Sequence, residues 1–248
     1  VQVVWWDASG ARRSRAFGTA FRVGPRGELL TAWHVAASAR TERERLGPRT
    51  RARIQVAFAP CDPERGRDAD GSCPVDVAIV AEDRDADLAL LRMRIVPPPE
   101  GGPTRGVPLG RPARLATARP PFESAVAVAG YPIEERDLVV RPGRLLDPAA
   151  LVRDPRRSES LPDWLDDLLS DDAILLADVE VRLGNSGAPV YLVESGEVVG
   201  LCSAILLRNA IVRDRLIPLP HPPSDPIALI VAAHRIQSFL DAHRASAR

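Results

Sequence analysis

The chain has 248 residues, a mass of 26.9 kDa and 33 basic residues against 33 acidic ones, enough for one large domain or two small ones and with no net charge to steer it toward nucleic acid or an acidic surface. Every one of the 33 basic residues is Arg, which excludes a Walker A phosphate loop, a Lys Schiff base and a Ser-Lys hydrolase. Aromatic residues, at 4%, are too few for a platform that stacks nucleic-acid bases, and no apolar run approaches the ~18 residues that cross a bilayer.

The chain starts at Val1 on a strand-like stretch, without Met and without a secretory leader, as expected of a mature form or of a domain cut from a longer protein. Short runs of period-two or β-branched character then recur between Gly, Pro and Asp clusters, which predicts strands. The first series is Gln2–Trp6, Gly18–Val23, Glu28–Ala32, Arg53–Phe58, Val75–Ala81 and Asp87–Met93. Within it, Cys61 and Cys73 flank a polar loop. Hairpin ends lie close enough for a disulfide, and two free thiols suit the sequence equally well. Their spacing is a poor match to zinc ligation.

Residues 97–108, rich in Pro and Gly, continue neither a strand nor a helix and are read as a connector. The second series is Ser124–Gly130, Leu138–Arg144, Ile174–Leu183, Pro189–Val193, Glu197–Ile205 and Ile227–Ala232. Two helices are expected. One starts at Ser160 as N-cap and carries Leu161, Trp164, Leu165, Leu168 and Leu169 on one stripe. The other runs from about His234 to the end, with Ile236, Phe239 and Leu240 on one face. Cys202, in an apolar run, reads as a buried small hydrophobe.

The predicted fold is all-β. Six short antiparallel strands on each side of a connector suggest two similar barrels, because closure removes exposed edges. The expected organisation is a first barrel over 1–96, a linker over 97–123 and a second barrel over 124–248 that ends in a helix, with a short helical insertion near 160–170.

Three motifs carry chemistry: Thr31-Ala32-Trp33-His34-Val35, then Asp85-Ala86-Asp87-Leu88-Ala89-Leu90-Leu91, then Gly184-Asn185-Ser186-Gly187-Ala188-Pro189. Each sits at a strand end, where loops of two barrels converge. A Ser hydroxyl is a poor nucleophile without an adjacent base. A His takes that proton near neutral pH, and a carboxylate fixes the His tautomer and steadies the imidazolium. Glycines beside Ser186 let the backbone turn sharply, so that successive N–H groups point at a developing oxyanion. Of the four His, none forms an H-E-x-x-H or Cys/His ligand set.

These residues resemble the trypsin-like serine protease superfamily, and within it the HtrA-type bacterial branch. The resemblance runs through GTAFRV, LLTAWHVA, DADLALLRM, VAVAGYP, LLADVEVRLGNSGAPV, EVVGLCSAIL and IALIVAAHRIQSFL. It implies a chymotrypsin-like double barrel with the site in the cleft between barrels, and an endopeptidase acting through an acyl-enzyme on polypeptides. No cofactor, metal, nucleic acid or membrane is implied. By the resemblance His34 is the general base and then acid, Asp87 orients it, and Ser186 is the nucleophile. The N–H groups of Gly184 and Ser186 form the oxyanion hole. The family places its acid directly before the L-A-L-L strand, which selects Asp87 over Asp85.

Asn185 stands where members activated by pro-peptide cleavage carry Asp, so no ion pair with a freed N-terminal amine is expected. Trp33 stands where a smaller residue is common. Glu180, six residues before Ser186, matches the base of the primary specificity pocket and would favour Arg or Lys in the substrate. Against this, Arg182 points to the same side of an extended strand and neutralises it, and HtrA-type members generally prefer small apolar residues. Ser203 matches the strand that pairs with substrate backbone. No PDZ-like segment follows within the chain.

Two rival readings stay open: a trypsin-like peptide-binding module without turnover, and a protease domain gated by a regulatory domain or partner in a larger signalling or defence protein. The odd cysteine count and the absent leader favour the cytoplasm; a Cys61–Cys73 bridge would fit a periplasmic or secreted protein.

Overall fold

The computed structural model describes residues 1–7, 9–58, 73–94, 111–135, 137–148, 172–206, 209–212, 215–218 and 227–246. Cys61 with any pairing to Cys73, the helix expected near 160–170, the whole connector over 97–108 and residues 109–110 of the linker lie outside the described residues. The first half comprises β1 (Gln2–Trp6), β2 (Arg12–Ala16), β3 (Phe21–Arg22), β4 (Glu28–Ala32), helix α1 (Trp33–Leu46), β5 (Arg53–Phe58), β6 (Cys73–Asp83) and β7 (Leu88–Met93). The second comprises β8 (Ala125–Gly130), β9 (Val139–Leu146), β10 (Ile174–Ala177), β11 (Pro189–Leu192), β12 (Val198–Leu206), β13 (Asn209–Val212), β14 (Arg215–Pro218), β15 (Ile227–Ala232) and helix α2 (Ala233–Ser246).

In the second half the ladder runs β11-β8-β9-β10-β15-β12-β13-β14, and a further pairing of β11 with β12 closes six of these strands into a barrel. The hairpin of β13 and β14 continues the sheet beyond β12. In the first half the order is β2-β1-β5-β6-β7-β4-β3, seven strands rather than the expected six. Its two outer strands, β2 and β3, are consecutive in sequence, so the sheet curls back on itself. Among the described pairings no ladder joins its two edges.

Alternation along the strands distributes side chains between cores. In β15, Ala228, Ile230 and Ala232 point into the second barrel, while Val231 points out toward the first half. In β4 and β7, Leu29, Ala89 and Leu91 fill the first half, and Leu30, Leu88 and Leu90 face the second. The middle cluster therefore draws Phe21, Leu30 and Leu90 from one half and Val198, Leu201 and Val231 from the other, sealed by Ile236 and Leu240 of α2. This seam fixes how the halves meet, and the His34, Asp87 and Ser186 motifs lie along it.

Helix α1 is absent from the sequence reading, which has only strands before residue 96. Its buried face consists of Val35, Ala36, Ala39 and Glu42, so alanines replace the large apolar residues that mark an amphipathic stripe. Glu42 is buried because Arg45 (2.6 and 2.9 Å) and Arg15 (3.4 Å) neutralise it, and the Arg45 hydrogen bond holds its carboxyl below the usual range. Strand β2 is exposed along its whole length and shows no apolar alternation. Strand β10 stops at Ala177, short of the expected Leu183, where the Asp178 side chain takes the Arg144 N–H at 2.5 Å. Cys202 is buried and unpaired as a thiol; burial first, and the Asp87 charge second, push that thiol up to about 12.

Because Ile236 is fully buried in the seam, Ile236→Ala should lower unfolding free energy by about 2–5 kcal/mol, measured by urea denaturation. A loss below about 0.5 kcal/mol would show that α2 does not seal the seam.

Candidate active site

His34 and Asp87 meet because β4 and β7 are antiparallel in a register that pairs Ala32 with Leu88. The next residues outward are then neighbours: the Trp33 N–H donates to the Asp87 carbonyl at 3.1 Å. Asp87 closes the turn from Arg84 in the left-handed region, φ +53°, a conformation that Asp tolerates better than most residues. Its carboxylate then lies at the start of α1. Oδ1 accepts the His34 backbone N–H at 3.0 Å, one of the helix's unpaired first donors. His34 Nδ1 lies 3.0 Å from each carboxylate oxygen. A carboxylate only accepts, so Nδ1 carries the proton and Nε2 is left facing away from Asp87. Asp85 is exposed and does not bond His34. Trp33 lies under the Arg84 guanidinium, 4.9 Å from its ring centre.

Ser203 enters the same cluster from the second half. The β12–β15 register slips between Cys202 and Ala204, which leaves Ser203 outside the ladder at a bulge. Its hydroxyl donates to Asp87 Oδ2 at 2.5 Å. The carboxylate thus accepts hydrogen bonds from donors of both halves. Ser203 was expected only as a strand contact to substrate; nothing in its sequence context signals the bond to Asp87. Its carbonyl lies 3.5 Å from Ser186 Oγ. The four side chains of His34, Asp87, Ser203 and Ser186 are therefore in one locality. Among the described residues, however, the Ser186 hydroxyl bonds only that carbonyl and not the imidazole.

The turn bearing Ser186 is held by its backbone. Gly184 (φ +102°) and Gly187 (φ +86°) occupy the left-handed region. A Cβ at Gly184 would stand 2.5 Å from the Tyr131 carbonyl, and one at Gly187 would collide with the Thr19 carbonyl. Buried Asn185 caps the turn: its Oδ1 accepts the Arg182 N–H at 2.9 Å, and its own N–H donates to the Arg182 carbonyl at 3.0 Å. The Gly187 N–H donates to the Cys202 carbonyl at 2.7 Å, and that of Ala188 to the Asn185 carbonyl at 2.8 Å. Among the described residues, the N–H groups of Gly184 and Ser186 have no acceptor. Two unclaimed donors at a positive-φ turn are what a developing oxyanion requires.

Thr19 joins this turn to the first half, a role missing from the sequence reading although GTAFRV forms part of the resemblance. Its N–H donates to the Ser186 carbonyl at 2.8 Å and its hydroxyl to the Gly184 carbonyl at 2.7 Å. The same hydroxyl accepts the Tyr131 N–H at 3.0 Å. A polar residue at a strand start between Gly18 and an apolar pair was the only signal. Glu180, by contrast, is already ion-paired. Its carboxylate is 49% exposed and is held by Arg182 (2.6 and 2.9 Å) and Arg141 (3.5 Å), with the Arg182 hydrogen bond keeping it below the usual carboxylate range.

Thr19→Val keeps shape but removes both hydroxyl bonds across the seam. Stability should fall by about 1–3 kcal/mol in urea denaturation; an unchanged midpoint would remove Thr19 from this role.

A family model of the trypsin-like peptidase domain matches residues 18–201. No curated protein matches the chain. Among solved structures, the active form of the Rv3671c protease from M. tuberculosis is similar with a TM-score of 0.54 at 18% identity, over 97% of this chain and 78% of that one. The inactive form of the same protease gives 0.52 at 16%, over 97% and 87%. The HtrA-type protease AlgW, solved with a decapeptide, gives 0.57 at 17% over 93% of this chain and 53% of that one, so the present chain spans about half its length. At such identities the likeness is one of fold. The matched span takes in His34, Asp87 and Ser186 in that order, and the chain belongs to the trypsin-like peptidase family of serine endopeptidases.

Proposed function

We propose that the chain cleaves polypeptides through a Ser-His-Asp triad of Ser186, His34 and Asp87 and an acyl-enzyme. The observation that carries this is the Asp87 carboxylate gripping His34 through Nδ1 and the backbone N–H at once, beside a serine turn with two unclaimed N–H donors. In this mechanism the Ser186 side chain turns off the Ser203 carbonyl and gives its hydroxyl hydrogen bond to His34 Nε2 instead. The hydroxyl loses its proton there as Oγ attacks the peptide carbonyl. The N–H groups of Gly184 and Ser186 receive the oxyanion. His34 passes its proton to the leaving amine, and water then releases the acyl group by the same steps in reverse. Asp87 holds the ring in one tautomer throughout.

A second reading, a protease domain gated by a partner, draws on the resting bond from Ser186 Oγ to the Ser203 carbonyl. Under that reading the hydroxyl stays off the imidazole until the partner engages.

Labelling by a fluorophosphonate tests the mechanism. The wild-type chain should be modified at Ser186, and Ser186→Ala should be unlabelled, with hydrolysis lowered about 10⁶-fold. Asp87→Asn should lose about 10⁴-fold in kcat. No labelling of wild type, even with prolonged exposure, would leave the module without turnover. Labelling at a full rate without any partner would argue against gating.

Cleavage profiling on a peptide library tests specificity. Because two arginines consume the Glu180 charge, cleavage after Arg or Lys should not exceed cleavage after small apolar residues, and Glu180→Gln should leave that ratio unchanged. A basic preference abolished by Glu180→Gln would restore Glu180 to the pocket.

A further inference from the structure

We propose that a closed ring of four charges, Arg182–Glu180–Arg141–Glu135, braces the oxyanion turn from outside the cleft, with Arg182 as the positioning residue. The inference rests on the peptidase reading above for its catalytic consequence, but not for its structural one.

The ring joins three separate segments. Glu135 ends the turn after β8, Arg141 lies on β9, and Glu180 and Arg182 lie on the extended stretch after β10. Arg182 Nη2 and Nε meet Glu180 Oε1 at 2.6 and 2.9 Å, and Arg141 Nε lies 3.5 Å from Glu180 Oε2. Arg141 Nη2 donates to Glu135 Oε1 at 3.1 Å, and Arg182 Nη1 closes the circuit to the same oxygen at 3.8 Å. Signs alternate around the ring, so each charge has two opposite neighbours and none of like sign.

The backbone of Arg182 is also one wall of the oxyanion turn. Both its N–H and its carbonyl are bonded to Asn185, the residue before Ser186. The neighbouring Leu183 carbonyl accepts the Ile133 N–H at 2.8 Å, and the 131–133 backbone packs directly on Gly184. On the cleft side Thr19 holds the turn. On the outer side only Pro132 of the 131–135 turn is buried, while Leu183 is 72% exposed and Ile133 52%. There the ring acts together with the Ile133–Leu183 backbone hydrogen bond to clamp the 131–135 turn onto 182–184. A single exposed ion pair contributes little, but a network with a bidentate arginine is the exception. None of the four side chains bonds His34, Asp87 or Ser186, so their influence on catalysis passes through the position of the Gly184 and Ser186 N–H groups.

The test is hydrogen exchange by mass spectrometry on the intact chain, with kinetics in parallel, for Arg182→Gln, Arg182→Lys and Glu135→Gln. Arg182→Gln should speed exchange about tenfold in segments 131–137 and 179–188 while leaving β4 and β7 protected. It should lower kcat roughly 10- to 100-fold with KM little changed. Arg182→Lys keeps the charge but not the fork, and should recover part of both effects. Raised salt should loosen the wild-type segments toward the variant. Glu135→Gln, which opens the ring without touching the Arg182–Glu180 pair, should give the same signature more weakly and serves if Arg182→Gln fails to fold. Unchanged exchange at 179–188, a rise shared by β4 and β7, or loosened segments with kcat intact would each overturn the proposal. The expected exchange pattern in a chain that no fluorophosphonate labels would uphold the brace and count only against the peptidase mechanism.

Discussion

The Asp87 carboxylate accepts hydrogen bonds from the His34 backbone, the His34 ring and the Ser203 hydroxyl. The first two donors belong to the first half of the chain and the third to the closed barrel of the second. A partly buried charge is stable only when its acceptors are filled, so the carboxylate is at ease only when the halves are docked. The same requirement orients the imidazole. Docking and alignment of the site are thus one event, and the left-handed turn at Asp87 is the local strain that this arrangement tolerates.

Docking itself comes from the shared apolar seam and from Thr19. Strands β4, β7, β12 and β15 each give side chains both to their own core and to the seam between halves. This is why β15 reads as a continuous apolar run and not as an alternating one. At one end of the seam apolar contacts give way to hydrogen bonds, because the Ser186 turn presents its carbonyls there. Thr19 accepts the task with its N–H and hydroxyl. Outside the cleft, four charges take over from burial. The Ser186 turn is therefore held by polar bonds on both sides, which position its N–H groups more closely than apolar packing does.

Several elements were invisible in the residues for identifiable reasons. Helix α1 hides its buried face in alanines, whose signal is too weak to separate from the flanking strands. Strand β2 carries RRSRA, exposed along its length with no apolar alternation to read. The β13–β14 hairpin lies beyond the closed barrel, and its two strands are only four residues each. Glu180 has the right offset from Ser186 for a specificity residue, but a carboxylate's direction depends on which cations reach it. Arg182 was legible as a neighbour at i+2, while Arg141 comes from another strand.

Order along the chain, strand periodicity and turn chemistry were within the sequence's reach. They specified strands on either side of a connector, a terminal helix, and His34, Asp87 and Ser186 in sequence, because alternation and glycine placement are local constraints that each segment carries by itself. Closure of one barrel by β11 and β12, the extra strand of the other half, the Ser203 bulge, the Thr19 bridge and the ring around Arg182 were decided only by the tertiary structure. Each depends on groups far apart in the chain finding complementary donors or charges, and pairing energy over such separations is set by the docked geometry of the two halves rather than by any stretch of residues.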